Sequence, residues 1–154
     1  MGQYHVEVSR VIAARPQDIY AVLADYRTTH PNILPSQYFK ELTVEEGGVG
    51  AGTVFRLRMS VMGASREYRM TVSEPEPGRV MVETDAEAGV VTTFTVDPLA
   101  NGAQSRVSIS LTGQTSPGLM GMLEKRLNPL VLRRVFAQEL ELLDEYVRTR
   151  QPSP

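Results

Sequence analysis

Few residues in this sequence have the chemistry of a catalytic group. It contains two histidines and no cysteine, so thiol catalysis, disulfides and thiolate metal sites are excluded. His30 lies in the segment "DYRTTHPNILP" at residues 25–35, and histidine is the side chain best suited to exchange protons near neutral pH. As a general base it needs an orienting acid, for which Asp25 and Glu41 are the nearest candidates in sequence. The alternative is that His30 only anchors this segment by a hydrogen bond.

Two other patterns have weaker chemical interpretations. His5 and Glu7 share a strand face, a spacing that suits two metal ligands, but the remaining ligands are missing. We therefore predict no metal site and no cofactor. The glycine-rich segment 47–53 precedes a strand pattern, whereas a phosphate-binding loop opens a helix, so we interpret it as a hairpin loop. No Ser-His-Asp arrangement stands out, and hydrolase chemistry has no residues to support it.

The segment around His30 is unusually apolar for a connection between elements. It contains Tyr26, Ile33 and Leu34, and Pro31 and Pro35 disfavour a helix there. A solvated connection would consist of small polar residues. We therefore interpret this segment as a stiffened rim that covers the mouth of an internal cavity.

Periodicity predicts the elements that position these residues. An alternating run from Tyr4 is followed by apolar residues at helical spacing behind Pro16. Six more alternating runs lie between residues 38 and 111, and the breaks between them are mostly too short for crossover helices. From Ser116 the pattern is helical, with either a kink or a break at Pro129. Beyond that point one apolar stripe predicts a long amphipathic helix packed on an antiparallel sheet.

One hairpin of this sheet has a register that can be predicted. If Gly63 and Ala64 form a two-residue turn, Met59 lies opposite Tyr68 and Phe55 lies opposite Val72. This pairing places apolar residues on one face of the hairpin and charged residues on the other. A slip of one residue would mix the two faces.

The widths of the predicted layers require a curved sheet. Seven strands spaced by about 4.8 Å span about 34 Å, whereas a helix with its side chains is only about 10–12 Å across. One helix shields the apolar face only if the sheet curls around it. We therefore predict an α+β fold in which a curved seven-stranded antiparallel sheet wraps around the C-terminal helix, with short helices between the first two strands and interior space left between the layers.

The order of these elements and several segments resemble a known family. The segments are "VSRVIAARPQDIYAVLADY", "HPNILP", "VEEGGVGAGTVFRLRM", "REYRMTVSEPEPGRVMVETD" and "TTFTVDP". They are similar to the polyketide cyclase/dehydrase-like branch of the START-like (SRPBCC) superfamily, over nearly the whole chain. The resemblance implies the helix-grip fold and a cavity that different members use for lipid carriage, ring closure or partner contact. It implies no shared catalytic residues.

Composition limits the partners. The net charge is −2, with 16 basic residues distributed among 18 acidic ones, so the sequence as a whole gives no sign of binding nucleic acid or an anionic membrane. No segment approaches the length of a membrane span, and the N-terminus lacks the pattern of a secretion signal. We expect a cytoplasmic monomer or homodimer with one domain over residues 1–150 and a disordered tail at 151–154, without integral membrane association.

These observations predict a carrier or binding protein for a small hydrophobic or amphipathic molecule. The predicted ligand-binding residues form three groups. The sheet wall consists of Phe55, Leu57, Met59, Tyr68, Met70 and Phe94, and the gate consists of Tyr26, His30, Ile33, Leu34 and Phe39. The helical side consists of Met122 and Leu123. Tyr68 is the candidate for holding the polar end of the ligand. The alternatives are an enzyme of the cyclase or dehydratase type, in which His30 or Tyr68 moves a proton, and a protein-interaction module.

Overall fold

The fold is an antiparallel meander that begins and ends beside a long helix. A computed structural model describes residues 2–61 and 63–150; the predicted disordered tail lies outside these residues. The elements are β1 (Gln3–Ile12), α1 (Pro16–Ala24), a 3-10 helix (His30–Ile33), β2 (Phe39–Glu46), β3 (Val54–Val61), β4 (Ala64–Glu76), β5 (Val80–Asp85), β6 (Val90–Leu99), a second 3-10 helix (Ala100–Gly102), β7 (Gln104–Gln114) and α2 (Leu119–Arg150).

The sheet has seven strands in the order β1-β7-β6-β5-β4-β3-β2, and every neighbouring pair is antiparallel. Short connections join β2 to β7 in sequence, whereas β1 pairs with β7, with Val6 opposite Leu111. The sheet curves around α2, which confirms the predicted α+β helix-grip fold. Among the described residues, no helix is long and apolar enough to cross a membrane.

The core forms where the sheet's alternating pattern meets the stripe of α2. Met81, Phe94 and Ile109 lie in register across β5, β6 and β7, and all are buried. From α2 the buried residues recur at helical spacing; they are Gly121, Val135, Phe136, Glu139, Leu140, Leu143, Asp144 and Val147. The sequence pattern predicted most of this packed face from Val135 onward, but it placed Asp144 on the opposite, polar side, whereas the structure buries this residue.

Two local predictions are corrected by the structure. In the β3–β4 hairpin Val61 pairs with Ala64 and Phe55 pairs with Met70, so the pairing is shifted by two residues from the one that a Gly63-Ala64 turn predicts. The resulting two-residue shift keeps each side chain on its predicted face, because the side-chain period of a strand is two. Residues 30–33 form a 3-10 helix despite Pro31, since a proline in the first turn leaves no helical hydrogen bond unmade.

Candidate functional site

A pocket lies between the concave face of the sheet and the middle of α2. Its walls are mostly apolar, but two carboxyl side chains, Glu83 of β5 and Glu139 of α2, lie among them. The space open to water-sized molecules is about 50 Å³, which is room for a few waters at about 10–15 Å³ each. The lining residues are Tyr4, His30, Leu34, Phe39, Leu42, Phe55, Leu57, Met59, Tyr68, Met70, Glu83, Val90, Thr92, Phe94, Leu111, Leu132, Phe136 and Glu139.

The pocket is narrower than the sequence argument predicts. The sheet does curl around the helix, but the rings of Phe55, Phe94 and Phe136 occupy much of the space that it encloses. Sites that enclose drug-sized ligands measure about 300–1,000 Å³, and the structure does not show a cavity of that size. The half-buried members of the lining mark the end that approaches the surface; they are Tyr4, Leu34, Phe39, Leu42, Met59, Tyr68 and Leu132.

The deep end of the pocket contains a cluster of buried polar side chains. The hydroxyl of Tyr26 donates a hydrogen bond to Oε2 of Glu83 over 2.5 Å. The same oxygen lies 4.0 Å from Nε2 of His30. The Tyr26 ring stacks between His30 and Phe55, with centroid distances of 4.4 and 4.7 Å, and Phe94 meets His30 edge-on. Aromatic contacts therefore fix the imidazole on two sides.

The backbone determines which nitrogen of His30 carries the proton. Nδ1 lies 2.7 Å from the carbonyl oxygen of Leu23 at the end of α1. A carbonyl oxygen only accepts hydrogen bonds, so Nδ1 must donate. In the neutral imidazole Nε2 then has a free lone pair, and this atom is the one nearest to Glu83. His30 is thus oriented by Leu23, whereas neither predicted acid does so: Asp25 caps the following turn, and Glu41 pairs with Arg58.

Glu139 is a buried polar side chain whose hydrogen bonds are incomplete. Its side chain is buried on α2 and lines the pocket, and its Oε2 atom has no hydrogen-bond partner. Among the buried side-chain oxygens and nitrogens that the structure describes, it is the one atom left without a partner. Such an atom costs about 1–3 kcal/mol of stability. One hydrogen-bonding position is thus unfilled in the wall of a mostly apolar pocket.

Burial determines the protonation of this cluster. Desolvation raises the pKa of Glu83 to about 7, although the hydrogen bond from Tyr26 opposes the shift. Desolvation and the nearby Glu83 raise the pKa of Glu139 well above its usual range. Desolvation also lowers the pKa of His30 to about 4, against the effect of its bond to Leu23. At neutral pH His30 is therefore uncharged and Glu83 is close to its midpoint, and burial favours the protonated form of Glu139.

The glycine-rich loop between β2 and β3 supports this cluster from outside. The amide of Tyr26 donates to the carbonyl of Gly48, and the amide of Gly50 donates to the carbonyl of Ala24. Gly48 has a φ of 146°, and a Cβ atom there would meet the side chain of Arg27. Glycine is therefore needed for the loop to approach the end of α1 this closely.

Most residues predicted to bind the ligand meet at the pocket. Nine of them line it: His30, Leu34, Phe39, Phe55, Leu57, Met59, Tyr68, Met70 and Phe94. Tyr26 and Ile33 are fully buried behind the lining. Met122 and Leu123 are 68% and 53% exposed, so the structure does not bring them to the pocket. Tyr68 is half-buried, with the guanidinium of Arg66 over its ring.

The acidic residues of the pocket were missed by sequence reasoning. Glu83 has the same strand parity as Met81, and Glu139 falls in the apolar stripe of α2. A charged residue at a core position was the available signal, because lone carboxyl groups are seldom fully buried. His5, considered above as a metal ligand with Glu7, forms a hydrogen bond with Thr112. Among the described residues no three potential metal ligands lie together.

Comparisons with known proteins agree with this fold. Residues 3–148 match the family model described as polyketide cyclase / dehydrase and lipid transport. The solution structure of KanY protein (ms6282) is 34% identical, with a TM-score of 0.82 over 96% of this chain and 99% of that one. The Zhui aromatase/cyclase from Streptomyces sp. R1128 is 17% identical (TM-score 0.77; 97% and 96% covered), and a START superfamily protein from Mycobacterium smegmatis is also 17% identical (TM-score 0.71; 97% and 100% covered).

The family match spans almost the whole chain and accords with the curved sheet, the long C-terminal helix and the pocket between them. The protein belongs to the polyketide cyclase/dehydrase and lipid transport family, within the START-like (SRPBCC) superfamily. The comparison with curated proteins gave no match.

Proposed function

We propose that the protein binds a small amphipathic molecule in the pocket, with the polar group of that molecule on Glu139. The observation that carries the proposal is the unpartnered Oε2 atom of Glu139, buried in a wall that is otherwise mostly apolar. A protonated carboxyl group both donates and accepts hydrogen bonds, so it suits an uncharged hydroxyl or carbonyl group. The apolar part of the molecule would lie along Phe55, Leu57 and Met70.

Binding requires the pocket to widen. The side chains best placed to move are those at its half-buried end, among them Met59 and Leu132. Methionine is unbranched and adapts its shape at low cost. Leu132 belongs to the part of α2 just after Pro129, where the helix lacks one hydrogen bond. The pocket can therefore open toward the surface without disturbing the buried polar cluster.

Replacing Glu139 by Leu should make the protein more stable and weaken its ligand binding. Loss of the unpartnered carboxyl group is expected to raise the free energy of unfolding by about 1–3 kcal/mol. The ligand's polar group then has no partner, so its affinity should fall by about tenfold or more. The ligand is first identified by native mass spectrometry of freshly purified protein and extraction of the bound compound. Calorimetry then gives its affinity, and denaturant unfolding gives the stability.

Glu141→Leu is the matched control, because Glu141 lies on the same helix but is exposed. It should change the stability by no more than about 0.5 kcal/mol and leave binding intact. A Glu139→Leu protein that binds the extracted compound as tightly as the wild type would contradict the proposal. A wild-type protein that is purified empty and binds no apolar fluorescent probe would contradict it as well.

A second candidate function is acid-base catalysis of the cyclase or dehydratase type in the same pocket. It is favoured by the geometry around Glu83, a carboxyl group with a pKa of about 7 that is held by Tyr26 and lies beside the free lone pair of His30. A general acid or base works best when its pKa is near the operating pH. In this case the extracted compound is a product, and its precursor should be converted by the wild type but not by Glu83→Gln. Conversion that is unaffected by this change would exclude Glu83 as the catalytic group.

A further inference from the structure

The first half of α2 presents apolar side chains to solvent. Leu119, Leu123, Leu127 and Leu130 follow one another at spacings of four, four and three residues, which places them on one face of the helix. Met120 lies beside them, and these five residues are 46–84% exposed. We call them the exposed stripe. The stripe faces away from the side of α2 that packs on the sheet, and it runs for about 18 Å.

The charges around the exposed stripe are positive and unpaired. Residues 119–134 contain four basic residues and one acidic residue, a net charge of +3 in a chain whose net charge is −2. The four cations, Lys125, Arg126, Arg133 and Arg134, are exposed. None of them forms an ion pair with another described residue, although seven other arginines of the chain do.

The single acidic residue of this segment does not neutralise the stripe. Glu124 is half-buried, and its carboxylate accepts a hydrogen bond from the amide of Ser116, just before the helix begins. Arg126 instead lies one turn from both Leu123 and Leu130, and Arg134 lies one turn beyond Leu130. Cations therefore border the apolar residues directly.

We propose that the first half of α2 docks on an anionic lipid surface, with the exposed stripe in the boundary between headgroups and acyl chains. A helix with an apolar stripe and basic flanks lies in this plane, its apolar face about 5–10 Å deep. Basic residues near an anionic bilayer each add to the attraction. The net charge of the whole chain does not reveal this basic segment, since the remaining residues together have a net negative charge.

A second copy of the chain fits this surface less well. Pairing two exposed stripes would bring at least four cations together, Arg126 and Arg134 of each copy, because both lie one turn from leucines of the stripe. Like charges in such proximity disfavour association. The inference does not depend on the proposed ligand, because the exposed stripe and the pocket lie on different faces of α2.

The test measures co-flotation of the full chain with vesicles. Wild-type protein should float with vesicles made of equal parts of phosphatidylcholine and phosphatidylglycerol, and much less with pure phosphatidylcholine or at high salt. Reversing two cations in Lys125→Glu/Arg126→Glu should weaken binding by about tenfold or more. Leu123→Gln/Leu127→Gln should weaken it to a similar extent, because the apolar contribution is lost. All four positions are exposed, so circular dichroism should show the same fold and melting temperature.

The controls are changes of the same kind elsewhere on the surface. Arg106→Glu on β7 and Val91→Gln on β6 alter exposed residues outside α2 and should leave flotation unchanged. The proposal is overturned if wild-type protein ignores anionic vesicles, or if the controls reduce flotation as much as the α2 variants do. It is also overturned if light scattering shows a dimer that the Leu123→Gln/Leu127→Gln change converts to a monomer, because the stripe then belongs to a second copy.

Discussion

Glu83→Gln and His30→Asn should change the pH dependence of the free energy of unfolding in opposite directions. Burial raises the pKa of Glu83 from 4.5 to about 7, so its contribution to stability is complete below pH 4.5 and is lost as the pH rises through 7. Burial lowers the pKa of His30 from 6.5 to about 4, so its contribution is complete above pH 6.5 and is lost as the pH falls through 4. In the wild type the two contributions offset one another between these limits.

Each variant removes one side of this balance. Between pH 7 and pH 4.5, acidification should lower the free energy of unfolding of Glu83→Gln by about 3 kcal/mol relative to wild type, since one pKa unit corresponds to about 1.4 kcal/mol. The same change should raise that of His30→Asn by a similar amount. Asparagine is chosen because its amide keeps a donor near the Leu23 carbonyl. The surface groups remain in every variant, so comparison with wild type cancels their contributions. Glu83→Gln also removes the upward effect of Glu83 on the pKa of Glu139, which changes the pH dependence in the same direction.

The measurement is urea unfolding at a series of pH values between 4 and 8. Glu87→Gln, an exposed carboxyl group in the turn after β5, serves as the control, and its profile should run parallel to that of the wild type. The double variant Glu83→Gln/His30→Asn should restore a profile close to the wild-type shape. If both single variants run parallel to wild type, the buried positions of Glu83 and His30 do not determine their ionisation.

Phe94→Ala should cost about 3–5 kcal/mol of stability, which is the usual result of deleting a buried phenyl ring. Phe94 is 2% exposed, lies between Met81 and Ile109 in the sheet and meets the edge of the His30 ring. For a domain of this size the loss corresponds to a fall in melting temperature of about 10 °C. Phe94→Leu keeps most of the volume and should cost less than half as much.

The same variant should enlarge the pocket enough to admit a small apolar molecule. An engineered apolar cavity of about 150 Å³ binds benzene, so benzene should raise the melting temperature of Phe94→Ala more than that of the wild type. Val91→Ala, an exposed change on the same strand, should alter neither the stability nor the response to benzene. A Phe94→Ala protein that melts like the wild type would mean that the ring does not hold the layers apart.

The fold could be predicted from the sequence because the apolar residues that determine it recur at regular spacings. Alternation in the strands and the stripe after Pro129 placed the curved sheet and the packed face of α2, and the family resemblance agreed with both. The hairpin turn was misplaced because Gly63 fits either of two adjacent turn positions, which differ by a two-residue shift of pairing. Since this shift preserves the faces of both strands, the alternation of residues such as Phe55 and Met70 does not distinguish them.

The pocket was less predictable because its chemistry depends on contacts between distant elements. Glu83 and Glu139 are 56 positions apart in the chain, and neither is near His30 in sequence. The acids nearest to His30 in sequence, Asp25 and Glu41, do not orient its ring. The backbone carbonyl of Leu23 does so, and no sequence pattern reveals such a contact. Met122 and Leu123 were assigned to the interior because they are apolar, but both are exposed in the structure.

Pro129 has a further consequence for α2. The structure shows one continuous helix through this residue, although the proline cannot donate a hydrogen bond to the carbonyl of Lys125. The missing bond falls between the exposed turns around Leu123 and Leu127 and the turns packed in the core, whose buried residues begin at Val135. A helix that lacks one backbone hydrogen bond bends more easily at that point. The segment before Pro129 can therefore change its tilt while the segment after it keeps Glu139 in place. The segments of α2 before and after Pro129 can thus move independently of each other.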